Sequence, residues 1–156
     1  MTKIIGVTFY CPDNALSMFS NGIRQHVINF FELLYILGYN VYLLTDKQLI
    51  EGIPNFDYKK YKTEIINVEL YDKIKFDIVF QMGCTIPYDH LKILKKNNCK
   101  LISYKCGNDY CIDIEGLLHS ARDKDRIPQY SYLKDNPGIF DQFWLLPQQI
   151  KTNFYY

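Results

Sequence analysis

No stretch of this sequence stays apolar for the roughly 18 to 20 residues that a bilayer-spanning helix needs, and no basic-then-apolar leader precedes the first strand. This predicts a cytoplasmic protein, in the host cytoplasm if the source is viral, without a transmembrane segment. An excess of one charge is also missing. Eighteen Lys and Arg stand against 17 Asp and Glu, so the broad basic surface on which nucleic acid or an anionic membrane depends is absent and no nucleic-acid partner is expected. The five cysteines, Cys11, Cys84, Cys99, Cys106 and Cys111, are an odd number without a CxxC pair. That argues against a disulfide framework or a zinc site and for reduced core thiols. The three histidines, His26, His90 and His119, lack metal-ligand spacing, so no metal is expected. There is no GxSxG elbow, and no compact GxGxxG follows the first strand. Asp46 stands where a ribose-binding acid would sit, but without the glycine motif nicotinamide binding is disfavoured. Internal repeats and low-complexity segments are absent.

What is present is an alternation of strands and helices. Lys3 to Tyr10 is an apolar run without clean alternation, as in a strand buried on both faces of a parallel sheet. A long loop from Cys11 to Ser20 follows. Ile23, Val27, Phe30, Phe31, Leu34 and Leu37 then fall on one helical face, with Ser20 or Asn21 to cap its start and Gly38 to end it. Asn40 to Thr45 is the second strand, and Lys47 to Lys62 a loop with one helical turn. Thr63 to Val68 is a third, edge strand, and Phe76 to Met82 a fourth. A helix from Tyr88 to Asn98 turns Leu91, Ile93 and Leu94 inward, and Lys100 to Tyr104 is the fifth strand. A further helix after Gly107 places Tyr110, Ile114, Leu117 and Leu118 inward. Ser120 to Gly138 reads as a surface excursion, and Gln142 to Leu146 as a sixth strand. The pattern predicts one Rossmann-like, doubly wound α/β domain over residues 1–156, mainly parallel, with strand order 3-2-1-4-5-6 and ligands at the carboxyl ends of strands one and four. The aromatic ending Phe154-Tyr155-Tyr156 leads us to expect a longer parent chain.

Two strand-to-helix turns concentrate polar chemistry on that edge. Asn21, Gly22, Arg24 and His26 open the first helix, where free N–H groups attract an anion and glycine permits close approach. Lys105, Gly107, Asn108, Asp109 and Tyr110 follow the fifth strand and offer an amide, a carboxylate and a helix N-terminus to sugar hydroxyls, with Tyr104 or Tyr110 available to stack on a ring. Both turns are equally compatible with simple helix capping. Asp13 and Asp109 are the candidate catalytic carboxylates, although a loop aspartate such as Asp13 is more commonly a turn former. Cys106 is a further candidate nucleophile.

Three segments in order, Ser20-Asn21-Gly22-Ile23-Arg24-Gln25, Tyr104-Lys105-Cys106-Gly107-Asn108-Asp109-Tyr110 and Phe143-Trp144-Leu145-Leu146-Pro147-Gln148, resemble the N-terminal half of a family of bacterial and viral GT-B-like glycosyltransferases catalogued as a domain of unknown function. The resemblance spans nearly the whole chain. It implies an acceptor-side Rossmann-like domain facing a second, C-terminal one across a cleft, with a nucleotide-sugar as substrate. It also implies a glycan or small-molecule acceptor, no tightly bound cofactor and no metal requirement. Lys105 stands where arginine is expected, which weakens bidentate anion binding, and the second domain is not in this sequence, which leaves the domain inactive alone. The competing expectation is a non-catalytic Rossmann-like or flavodoxin-like ligand-binding module.

Overall fold

The computed structural model describes residues 2–14, 22–49, 58–105 and 138–145. Its strands are β1 (Ile4–Phe9), β2 (Asn40–Thr45), β3 (Lys62–Ile65), β4 (Ile78–Gln81), β5 (Lys100–Lys105) and β6 (Gln142–Leu145). Its α-helices are α1 (Gly22–Ile36), α2 (Leu70–Lys73) and α3 (Tyr88–Lys96), and one 3-10 turn spans Tyr58–Lys60. All six strands form one sheet in the order β3-β2-β1-β4-β5-β6, and every neighbouring pair is parallel. This is the expected Rossmann-like α/β sheet.

β1 is central, and its side chains alternate between two cores. Ile5, Val7 and Phe9 join Val27, Ile28 and Phe31 of α1 on one face. On the other face, Leu44, Val79 and Leu101 meet Tyr71 of α2 and Leu91 and Leu94 of α3. Gly6 lies on this second face beneath a close neighbour, because a Cβ there would meet Leu44 Cδ1 at 2.6 Å.

α1 and α3 end by one device. Gly38 takes a positive φ of 83°, and the Tyr39 amide returns to the Leu34 carbonyl at 3.2 Å, the six-to-one bond of a Schellman ending. At the end of α3, Asn98 has φ 61° and the Cys99 amide donates to Leu94 O at 3.0 Å. Asn98 therefore closes the helix and is not part of it, contrary to the expected span. Leu37 also departs from expectation: it lies past the end of α1 and is 63% exposed, whereas Ile28, which the helical-face reading omitted, is 3% exposed.

α2 has no counterpart in the periodicity reading because four residues carry too little pattern. Asn67 Oδ1 accepts the Leu70 amide at 2.9 Å, and Leu70 and Tyr71 are buried. The third strand is shorter than expected, ending at Ile65. The expected helix after Gly107, the excursion Ser120 to Gly138 up to residue 137, and the closing residues Phe154 to Tyr156 lie outside the described residues.

Candidate functional site

The carboxyl ends of the strands are tied together differently on the two sides of β1. Toward β4, the buried Thr8 hydroxyl donates to Cys84 O at 2.8 Å and accepts from the Met82 amide at 2.9 Å and the Cys84 amide at 3.3 Å. Gly83 donates to Thr8 O at 3.0 Å. A Cβ on Gly83 would stand 2.9 Å from that oxygen and 3.0 Å from Phe9 Cα, so the β4 loop lies directly against the β1 backbone. The loop after β4 is thus pinned to the end of β1.

Toward β2, Asp46 Oδ1 accepts the Cys11 amide at 2.7 Å, and the Cys11 thiol donates to Lys47 O at 3.2 Å. Asp46, the residue in the ribose-acid position, is engaged with the first loop. Lys47 Nζ donates to Asp13 Oδ1 at 2.6 Å. That hydrogen bond, the Lys47 charge and the Arg24 charge hold Asp13 below the usual carboxylate range, the wrong direction for a general base at neutral pH. Burial, then Asp46, push the Cys11 thiol up to about 12. Burial, again with Asp46, raises Cys84 to about 12. Neither thiol is activated as a nucleophile.

Gly22 is the first residue of α1, and a Cβ built on it meets no described atom within 4 Å. Arg24 extends its guanidinium over the Tyr10 ring, 5.8 Å from its centroid. His26, one turn into the helix, places Nε2 3.0 Å from the Tyr104 hydroxyl, with the rings edge to face at 5.3 Å. Tyr104 lies near the end of β5. The start of α1 and the end of β5, 78 residues apart in sequence, therefore meet in space.

Around that contact is an aromatic group of which only Tyr104 is expected from the sequence as a ring-stacking residue. Phe30 stands 4.9 Å from Phe80 and 5.6 Å from Tyr104, and Trp144 stands 5.1 Å from Phe80 and 5.9 Å from Tyr104. The available signal was the position of Tyr104 and Trp144 at corresponding places in two successive strands.

Of the expected site residues, Gly22, Arg24, His26 and Asp13 are described. Asn21, Gly107, Asn108, Asp109 and Tyr110, and the side chain of Lys105, lie outside the described residues, as does Cys106. Among the described residues no group of three or more His, Cys, Asp or Glu gathers as metal ligands do, and no helix is long and apolar enough to cross a membrane. A separate groove of about 350 Å³, lined by Thr45, Gln48, Leu49, Thr63, Glu64, Ile65 and Asn67, lies over β2 and β3, on the opposite side of β1 from His26 and Tyr104.

Among solved structures, the chain is similar to an alpha-glucosyltransferase in complex with UDP and a 13-mer DNA containing a HMU base. The identity is 12% and the TM-score 0.46, over 93% of this chain and 38% of that one. It is also similar to homoserine dehydrogenase from S. aureus at pH 7.0, with 14% identity and a TM-score of 0.39 over 93% of this chain and 33% of that one. The chain thus spans 38% of the first and 33% of the second. No curated protein matches it. A family described as a protein of unknown function, DUF2827, matches residues 5–156. The chain belongs to that DUF2827 family.

Proposed function

We propose that this chain is the acceptor-side half of a GT-B sugar transferase, moving a sugar from a nucleotide-sugar donor to a glycan or other small acceptor in the cytoplasm without a bound metal ion. The supporting observation is the 3.0 Å approach of His26 to Tyr104. It joins the opening of α1 to the end of β5 on the ligand-binding edge of the sheet. The resemblance of the SNGIRQ and GNDY segments supplies the chemistry, and a second Rossmann-like domain holds most of the donor.

Sugar transfer builds negative charge on the departing nucleotide diphosphate, and fixed donors aimed at that charge lower the barrier. In this reading the first-turn amides of α1 and the Arg24 guanidinium face that charge, with Lys105 as a second cation. Gly22 keeps the backbone approachable, while Asn108 and Asp109 hold sugar hydroxyls. Asp13, already neutralised by Lys47, serves the loop and not the proton transfer.

The test joins this chain to its natural downstream sequence and measures transfer from a panel of nucleotide-sugars. Arg24→Ala and Asn108→Ala are expected to lower kcat/KM by about 10- to 1,000-fold, the range for losing a charge-stabilising donor. Gly22→Ala separates approach from folding: its Cβ meets no described atom, so it should melt like the parent chain and still lose transfer. Full activity in all three variants removes the site assignment. Saturable glycan binding with no transfer from any donor selects the non-catalytic binding module.

A further inference from the structure

Of the three sequence segments that carry the transferase resemblance, the third, around Trp144, has no role in the reading above. Tyr104 and Trp144 are register partners on β5 and β6, so their side chains rise from the same face of the sheet. Phe80 of β4 and Phe30 of α1 meet the indole at 5.1 and 6.5 Å. These rings approach it edge to face, at 65° and 82°. The indole nitrogen, its one polar atom, donates to Gln142 Oε1 at 3.1 Å. Yet Trp144 remains 40% exposed. Its N–H is satisfied and its position is held by neighbouring rings, so what it offers to solvent is a fixed carbon and π surface. Beside it lie the Tyr104 hydroxyl and the His26 imidazole.

An aromatic plate rimmed by hydrogen-bonding groups matches the two-sided chemistry of a sugar ring. The ring's C–H face is apolar and weakly positive toward a π cloud, and its edge carries hydroxyls. The plate itself is carbon and π surface, with the indole N–H already given to Gln142, so it suits the C–H face of a neutral ring better than a phosphate. We propose that Trp144 and Tyr104 form the floor of a carbohydrate subsite that receives a pyranose ring of the acceptor. Its role in transfer rests on the transferase reading, but its affinity for sugar does not.

The chain has a single tryptophan, so fluorescence excited on the long-wavelength side, where the indole absorbs and its 14 tyrosines do not, reports on Trp144 alone. Maltotriose, cellotriose, N-acetylchitotriose and UDP are titrated separately. At least one oligosaccharide should produce a saturable spectral shift and protection from acrylamide quenching, while UDP produces neither. By calorimetry, Tyr104→Ala and Trp144→Leu should each weaken the bound sugar about tenfold or more, as expected for the loss of an aromatic anchor. Trp144→Phe keeps a ring at the centre of the cluster and should retain part of the affinity, so the comparison survives a Leu variant that fails to fold. A response to UDP alone, no response to any of the three sugars, or unchanged sugar affinity in the folded variants overturns the subsite. With the natural downstream sequence attached, transfer with an unchanged acceptor KM in Trp144→Leu overturns the subsite and leaves the transferase. Sugar binding without transfer leaves the subsite and removes the transferase.

Discussion

Thr8 carries more of the architecture than its size suggests. Its hydroxyl is fully buried and serves three backbone groups of the β4 loop, so Thr8→Val, nearly the same shape, leaves two amides without their acceptor. We expect Thr8→Val to lower unfolding free energy by about 1 to 3 kcal/mol, with Thr8→Ser costing less, as read from urea denaturation. Gly83→Ala attacks the same junction sterically, because the new methyl would meet backbone atoms that have no rotamer to change. A loss of about 1 to 3 kcal/mol is expected in the same measurement. At this scale the candidate site was only partly legible. Gly22, Arg24 and His26 stood out because polar residues at a helix start are locally readable. Trp144 did not, since its partnership with Tyr104 is made by sheet register and not by any spacing within one segment. Asp13 looked available until Lys47, 34 residues away, was brought beside it by the pairing of β1 with β2.

Among the elements, two strands begin in the same way. Phe76-Asp77 precedes β4 and Phe140-Asp141 precedes β6, with both phenylalanines buried in the α3-side core. Asp77 Oδ2 accepts the Ile4 amide at 2.7 Å, while its own amide donates to Ile4 O at 2.9 Å. Asp141 repeats this with Leu101, at 2.7 and 2.8 Å. Each aspartate thus locks the amino end of its strand to the neighbouring one. The repeated Phe-Asp pair was visible in the sequence, but its meaning depended on which strands are neighbours. The end of α1 was more legible, because Gly38 signals a left-handed closure through local chemistry alone, whereas Asn98 was read as helical. Burial pulls the Asp141 pKa upward, but hydrogen bonds from Lys95 and the Leu101 amide, with the charges of Lys95 and Lys100, hold it below the usual value of 3.8. Its contribution is therefore present above that value and is lost as pH falls through the depressed pKa. Asp141→Asn should flatten the acid limb of stability against pH and loosen the start of β6, seen as faster hydrogen exchange at Leu101.

For the molecule as a whole, strand order followed from alternation and right-handed connection, which require only that elements be recognised in order. That is why the 3-2-1-4-5-6 sheet was readable while single side-chain contacts were not. Its two buried cores also set an alkaline limit. Burial raises Cys11, Cys84 and Cys99 to about 12 from an ordinary 9.0, and raises the Tyr71 hydroxyl as well. These groups hold their protons more tightly folded than unfolded, so their contribution is whole below pH 9.0 and falls as pH rises toward about 12. Thermal melts should show Tm falling across that window. Site-resolved alkylation at pH 8 should label the three thiols slowly until urea is added. The central position of β1 has a further consequence in time. One edge of this strand pairs with residues from Asn40 onward, the other only with residues from Ile78. On a ribosome, the most apolar strand waits with an open edge for the interval between them. A nascent chain halted there presents a template for association with its neighbours, and chaperone demand should peak before β4 emerges and decline once it pairs.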